Sequence, residues 1–166
     1  MLAESLLDSL NTSLWPFALD ELPAGTALVG GSVRDALLNR LQHKPDIDLV
    51  VPAGAIKLGE RISRKIGATC VVLDAKRDIA RIVIDGWIVD FAAQVGASLE
   101  EDLLTRDYTV NAIALTLSKP PKVCDPAGGL IDLKRKKLVA ISEQNLINDP
   151  LRLLRGFRLS AQLNLS

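Results

Sequence analysis

Two stretches decide the fold of this chain: LVGGSVRD at residues 28–35 and DIDLVV at residues 46–51. The first contains an apolar strand, two glycines and the start of a helix, for which Ser32 is the predicted N-cap. The second is an apolar strand that begins with two carboxylates and is closed by Pro52. A strand, a glycine turn, a helix and another strand in this order predict a domain in which helices cover a sheet.

The remaining segments extend this pattern in both directions. Helical periodicity and capping signals predict helices over residues 2–10, 32–39, 55–66, 99–105 and 149–162. Strand patterns lie over residues 26–29, 46–51, 70–73, 80–84, 87–92 and 111–117. The Asp85-Gly86 pair is a hairpin signal, and Asp149 with Pro150 marks the start of the last helix. We therefore expect an α/β (α+β) domain, with a mixed sheet of about five strands and flanking helices.

The composition restricts the classes of protein that fit. Hydrophobic residues make up 48% of the 166 positions, and 20 basic residues balance 20 acidic ones. A net charge of zero argues against a stand-alone nucleic-acid binder, although it permits one local basic groove. The single histidine, His43, leaves little basis for Ser-His or Cys-His catalysis. Two unclustered cysteines, no signal peptide and no apolar run of the ~18 residues that a membrane span needs predict a cytoplasmic protein with no membrane partner.

The carboxylates of Asp46 and Asp48 are the first candidates for chemistry. Residues two apart on a strand point to the same side of the sheet, so both side chains leave it together. Two like charges repel unless a cation lies between them, and hard oxygen ligands without His or Cys suit Mg²⁺. An isolated Asp-x-Asp is more often a solvated strand end. The glycine turn before this one favours a triphosphate beside a metal, because glycines and a helix N-terminus admit a phosphate to the backbone.

Further polar residues extend the candidate site. Asp90 ends an apolar strand and is either a third carboxylate facing the metals or a structural hydrogen-bond acceptor, two hypotheses with equal support. Arg34 is the first positively charged residue of the helix after the glycines, and Arg106 precedes a buried segment. Both are therefore candidates for binding phosphate or ribose. Arg152 and Arg155 share one face of the last helix. Two hypotheses apply to these arginines: they bind phosphate, or they lie on a solvated face of the helix.

Two groups of neighbouring residues are predicted to have structural roles. Asp107 and Asn111 should hold together the polar segment that precedes the last strand. The apolar contacts of the last helix should come from four residues, Leu151, Leu153, Leu154 and Phe157.

Five ordered motifs resemble the class II tRNA nucleotidyltransferase and bacterial poly(A) polymerase family, within the polymerase β superfamily. They are VGGSVRD (29–35), DID (46–48), RDYTVNA (106–112), DPAGGLIDL (125–133) and DPLRLLR (149–155). The resemblance implies a polymerase β-like nucleotidyltransferase fold. It also implies template-independent addition of C and/or A to the 3′ end of tRNA from CTP and ATP, with release of pyrophosphate.

The resemblance implies roles for individual residues as well. Asp46 and Asp48 would bind catalytic Mg²⁺, whereas Asp90 matches the acidic strand residue of the superfamily only loosely. Contacts to the incoming ATP or CTP would come from Gly31, Arg34, Arg106, Arg152 and Arg155. Residues 1–148 would form the head domain and residues 149–166 the truncated start of a helical neck domain. The tRNA would be gripped mostly by domains beyond these residues.

Two departures from the family pattern leave alternatives open. Thr105 stands where the family often has an arginine, and the neck motif that selects the base lies outside these residues. Nucleotide choice therefore cannot be inferred from this chain. A poly(A) polymerase, a small stand-alone nucleotidyltransferase and a non-catalytic nucleotide-binding fragment or subunit are the alternatives.

Overall fold

A seven-stranded mixed sheet forms the centre of the computed structural model, which describes residues 2–166. Its strands are β1 (Ala27–Val29), β2 (Ile47–Val51), β3 (Thr69–Asp74), β4 (Ile79–Ile84), β5 (Trp87–Ala93), β6 (Ala114–Thr116) and β7 (Val123–Cys124). Their order is β3-β4-β5-β2-β1-β6-β7, and the β2–β5 pair is the parallel one. The sheet thus has seven strands rather than about five, and six of them lie at the six strand segments predicted above. The unforeseen strand, β7, has two residues, too few to show any periodicity.

Seven α-helices surround the sheet within residues 2–166. They are α1 (Leu2–Ser9), α2 (Gly31–Leu37), α3 (Ala55–Ile66), α4 (Leu99–Leu104), α5 (Gly129–Lys134), α6 (Glu143–Asn148) and α7 (Leu151–Leu163). Two of them, α5 and α6, lie where the sequence predicted loops or no element. Each has six residues, less than two turns, so neither shows a sustained helical period.

The two faces of the sheet are covered unequally. Alternate residues of β2, including Ile47 and Leu49, join Phe91 of β5 in a core that α1, α2 and α3 complete. On the opposite face a smaller cluster around Val50 packs against Leu103 of α4. Because strand side chains alternate between faces, the residues of β2 and β5 between the core positions point to this second, partly open face.

The glycine turn differs from its prediction in one respect. Ser32 is not the N-cap of α2, because the helix begins at Gly31 and Gly30 precedes it with φ +73°. That positive φ favours glycine. The Ser32 hydroxyl instead donates a hydrogen bond to the backbone carbonyl of Asp46. The bond ties α2 to the beginning of β2.

The predicted strand over residues 111–117 is shorter than expected. Residues Thr109–Asn111 form a 3₁₀ turn, and β6 begins at Ala114. The Asn111 amide donates to Asp107 and its oxygen accepts from the Arg34 guanidinium. A buried polar side chain must find such partners, and these lie away from the strand ladder.

The last helix packs through different residues from those predicted. Leu151, Leu153, Leu154 and Phe157 are all at least half exposed, so their predicted role in packing is wrong. Contact with the sheet domain comes through Gly156 and the buried Leu159. The Tyr108 hydroxyl reaches α7 and donates a 3.0 Å hydrogen bond to the carbonyl of Arg152. The predicted domain division at residue 149 stays a prediction. No helix within residues 2–166 is long and apolar enough to cross a membrane.

The Tyr108 contact makes Gly156 sensitive to substitution. A Cβ at this position would overlap the Tyr108 hydroxyl and lie 2.7 Å from Cζ. We predict that Gly156→Ala lowers the free energy of unfolding by about 1–3 kcal/mol through this overlap, although alanine is the better helix former by about 1 kcal/mol. Denaturant unfolding measures the effect. Adding Tyr108→Ala should remove the penalty of Gly156→Ala, whereas stabilisation by Gly156→Ala alone would contradict the packing.

Candidate active site

A cleft of about 1100 Å³ opens between the glycine turn, the beginning of β2, the segment after α4 and helix α7. Seven of the eight residues predicted for the site line it: Gly31, Arg34, Asp46, Asp48, Arg106, Arg152 and Arg155. They come from parts of the chain more than 100 residues apart. The eighth, Asp90, lies outside the lining.

The carboxylate of Asp48 lies in a strained electrostatic setting. Asp48 is the register partner of Asp90 in the parallel β2–β5 pair, which puts both side chains on the partly open face. Burial raises the pKa of Asp48 to about 6, with help from the repulsion of Asp90 and Asp46, while Arg106 acts in the opposite direction. Among the hydrogen bonds of residues 2–166, none is donated to the side chain of Asp46 or Asp48. Both carboxylates therefore keep their oxygens available to a cation.

The glycine turn brings its backbone up to these carboxylates. A Cβ on Gly30 would lie 3.4 Å from Oδ2 of Asp48 and 3.8 Å from Nη1 of Arg106. A Cβ on Gly31 would lie 3.5 Å from Nη2 of Arg34. The absence of side chains at Gly30 and Gly31 thus lets one carboxylate and two guanidinium groups lie close to the backbone of the turn.

The first two arginines of the cleft are held by acidic and amide neighbours. The Nε of Arg34 donates to Asp35 at 2.9 Å and its Nη1 to the Asn111 oxygen at 2.6 Å. Arg106 donates from Nη2 to the buried Asp102 at 3.2 Å. Its own Nε is buried without a hydrogen-bond partner in the described chain, an orphaned donor at the edge of the cleft.

The two arginines of α7 connect the helix to the segment that follows α4. Arg152 donates from Nη1 to the carbonyls of Thr105, at 2.9 Å, and Asn145, at 3.1 Å. Nη2 of Arg155 lies 3.2 Å from Oδ2 of Asp107. That oxygen has no partner with hydrogen-bond geometry among residues 2–166, so the contact is an ion pair only. The Arg152 side chain is 22% exposed and that of Arg155 is 51% exposed. The face of α7 that carries them is therefore partly packed through specific contacts, rather than the plain solvated face of the alternative hypothesis.

The predicted structural role of Asp107 and Asn111 is confirmed. Oδ1 of Asp107 accepts hydrogen bonds from the Tyr108 N–H and from the Asn111 amide, and Asn111 also accepts from Arg34. These bonds close the segment between α4 and β6 on itself and connect it to α2.

Sequence reasoning missed two residues that position the site. Asp102 accepts from the Val95 N–H at 2.9 Å as well as from Arg106. Its place four residues before Arg106 is a helical ion-pair spacing that could have revealed it. Arg81 binds Asp90 through both ends of its fork, with Nε–Oδ1 at 2.7 Å and Nη2–Oδ2 at 2.8 Å. The two-residue turn at Asp85 and Gly86 sets the register that pairs them.

The carboxylates of the cleft fit a hard divalent cation that is shared with a substrate. Within residues 2–166 no group of three or more His, Cys, Asp or Glu side chains could hold a metal ion alone. Mg²⁺ is commonly held by one or two carboxylates together with waters and substrate phosphates. Asp46 and Asp48 supply that number of ligands.

Comparison with known proteins agrees with the geometry. A family model described as the poly A polymerase head domain matches residues 26–139. A CC-adding tRNA nucleotidyltransferase of Synechocystis sp. is 51% identical over 148 residues, covering 89% of this chain and 35% of that protein. An A-adding tRNA nucleotidyltransferase of Deinococcus radiodurans is 40% identical over 147 residues, covering 88% of this chain and 32% of that protein.

Solved structures of such enzymes have the same fold. A CCA-adding enzyme in complex with CTP superposes with a TM-score of 0.82 at 26% identity, covering 99% of this chain and 42% of that chain. A tRNA nucleotidyltransferase complexed with a primer tRNA and an incoming ATP analog superposes with a TM-score of 0.72 at 35% identity, covering 84% and 42%. The predicted nucleotidyltransferase fold is thereby confirmed. The chain spans about a third of the length of the curated relatives it matches. The head-domain model matches residues 26–139, and a relative is 51% identical over 89% of this chain, so the chain belongs to the poly A polymerase head-domain family.

Proposed function

We propose that this chain is the catalytic head of a template-independent RNA nucleotidyltransferase that adds C and/or A to the 3′ end of tRNA. CTP and ATP are the donors and pyrophosphate is released. One observation carries the proposal: two carboxylates that accept no hydrogen bond within the described chain share a cleft with six arginines, among them Arg34, Arg106, Arg152 and Arg155. This is the charge pattern that a metal-bound triphosphate requires. The names of the relatives add the tRNA substrate.

In the proposed reaction the RNA 3′ hydroxyl attacks the α-phosphate of the nucleotide. Asp46 and Asp48 would hold Mg²⁺, which when bound would lower the pKa of the hydroxyl and stabilise the leaving oxygens. Arg34 and Arg106 approach the triphosphate from the glycine turn, and Arg152 with Arg155 approach it from α7. Because the guanidinium groups are already held in place by protein partners, little reorganisation is needed when charge develops on the phosphates.

The relatives favour CTP as the first donor to test. The one at 51% identity is named CC-adding, and so is a relative in Geobacter sulfurreducens at 39% identity. The A-adding relative matches nearly the same share of the chain. The head therefore carries the chemistry common to these subtypes. We also propose that the reaction takes place in the cytoplasm, since two unclustered cysteines suit a reducing compartment.

The substrate assignment is tested with tRNA transcripts that lack the last three, two or one nucleotides of the CCA end. They are incubated with labelled CTP, ATP or both, using the 1–166 chain and the complete gene product side by side. Addition of CC supports the CC-adding reading, and single A or full CCA addition supports the other tRNA subtypes. Long A tails on unrelated RNA would replace the tRNA assignment by poly(A) polymerase. Absence of incorporation by the complete product would leave the non-catalytic alternative in its place.

Asp48→Asn tests the metal assignment directly. The amide removes one ligand charge while preserving size, so we predict that nucleotide incorporation by the complete product falls by about 100-fold or more. The far-UV circular dichroism spectrum should be unchanged. The matched control is Asp85→Asn, which alters an exposed carboxylate in the β4–β5 turn where asparagine also tolerates positive φ. Near-normal turnover of Asp48→Asn would contradict the assignment.

The raised pKa of Asp48 predicts a pH-dependent stability. A carboxyl whose folded pKa, about 6, exceeds its unfolded pKa of ~3.9 stabilises the fold fully below pH ~4 and loses that contribution as the pH rises past ~6. Without divalent cations, wild type should therefore become less stable than Asp48→Asn by about 1–3 kcal/mol between pH 4 and 8.

Urea unfolding at pH 4 and pH 8 in the presence of EDTA measures this difference. Excess Mg²⁺ at pH 8 should narrow it, because the cation binds the folded wild type and not the variant. A difference that stays constant from pH 4 to pH 8 would show that Asp48 is not electrostatically strained.

A further inference from the structure

A row of charged residues crosses the open face of the sheet beside the cleft. Arg81 of β4 is the register partner of Asp90, and Asp90 is the register partner of Asp48. All three side chains therefore point to the same face. At the outer end of the row Arg81 adjoins Val71 of β3, which is 45% exposed.

The Arg81 fork occupies both oxygens of Asp90. The two N–O distances of 2.7 and 2.8 Å make a bidentate ion pair. While this pair lasts, Asp90 has no oxygen free of the guanidinium, and it does not line the cleft. The carboxylate of Asp90 thus lies next to Asp48, but both of its oxygens accept hydrogen bonds from Arg81.

The positive charges that act on Asp48 come from two arginines, Arg106 and Arg81, which are held very differently. Arg106 is 25% exposed and is tied to Asp102, which is only 6% exposed and also accepts the Val95 N–H. Arg81 is 40% exposed, and its ion pair is with Asp90 alone. Arg106 therefore cannot leave without exposing a buried charge, whereas Arg81 can turn outward into solvent by breaking its pair with Asp90 and no other ion pair.

We propose that Arg81 is a displaceable counter-ion of Asp90, which it neutralises until a divalent cation binds at Asp48 and then releases so that Asp90 can face the cation. A cation at Asp48 repels the guanidinium and supplies the positive charge that Arg81 had contributed. Arg81 is then a positioning residue that acts through Asp90. The inference rests on the metal assignment of the proposed function.

Competition between Arg81 and the cation has a measurable consequence. Removing Arg81 should tighten cation binding, because Asp90 no longer has to be freed. We expect Arg81→Gln to lower the dissociation constant of Mn²⁺ for the 1–166 chain by about 2- to 5-fold, the range of a partly exposed ion pair. Free Mn²⁺ is followed by electron paramagnetic resonance. Arg81→Lys, which keeps the charge but loses the fork, should give an intermediate value and serves if the glutamine variant folds poorly.

Two controls separate competition from the loss of one positive charge. Arg77→Gln removes a cation that lines the cleft but is 78% exposed and is paired with Asp74 rather than Asp90. This variant reports the general effect of losing one positive charge near the site. Arg81→Gln in an Asp90→Asn background should show no tightening beyond that of Arg77→Gln.

Titration of wild type with Mg²⁺, followed by the Arg81 Nε–H resonance in a ¹⁵N correlation spectrum, reports the ion pair itself. Its resonance should move toward the position of a solvated arginine as the site fills. If Arg81→Gln binds Mn²⁺ no more tightly than Arg77→Gln, or if its effect persists without Asp90, the counter-ion role is overturned and the metal assignment stands. If wild type binds no Mn²⁺, the metal assignment fails and the inference fails with it.

Discussion

The parallel pairing of β2 with β5 is the constraint on which the cleft depends. It sets Asp48 beside Asp90 on one face of the sheet, and two adjacent carboxylates cannot be covered by an apolar layer. The opposite face has no such charges and is closed by α1, α2 and α3 over a continuous core. The face with the carboxylates is covered only in part, by α4. The unequal covering of the sheet thus follows from where the acidic residues fall in two strands.

The arginines of the site partly balance this negative charge and still keep donors available to a ligand. Arg34 and Arg106 are anchored by side chains of buried or half-buried residues, and both lie against the glycine turn. Arg152 and Arg155 are anchored by a carbonyl and by Asp107. Each guanidinium keeps part of its donor set free, and a triphosphate would meet groups whose orientation is already determined. Rigid placement of this kind is what lowers the cost of binding and of reaction.

In helix α7 the residues that pack against the rest of the chain differ from those predicted from its hydrophobic pattern. The pattern of the sequence predicted that its packing residues are Leu151, Leu153, Leu154 and Phe157, yet all four are exposed, whereas Leu159 is buried. The packed face is defined by Gly156, which admits the ring of Tyr108, and by the arginines that reach across to residues 105–107. Hydrophobic periodicity assumes that apolar residues face the core. Here the neighbouring surface is polar because it belongs to the cleft, so the rule selects the wrong side.

The sequence by itself determined most of the elements and the members of the site. Strand alternation put Asp48 on the non-core face, the Asp85-Gly86 turn specified a hairpin, and the motifs named seven residues that line one cleft. These are local properties, set by spacing along one strand, turn or helix. Only the tertiary structure decided that β2 pairs with β5, that Asp90 is held by Arg81 and lies outside the lining of the cleft, and that Ser32 bonds to Asp46 instead of capping α2. Each of these depends on which distant segments come into contact, and the energies of such contacts exceed the local preferences from which a sequence can be interpreted.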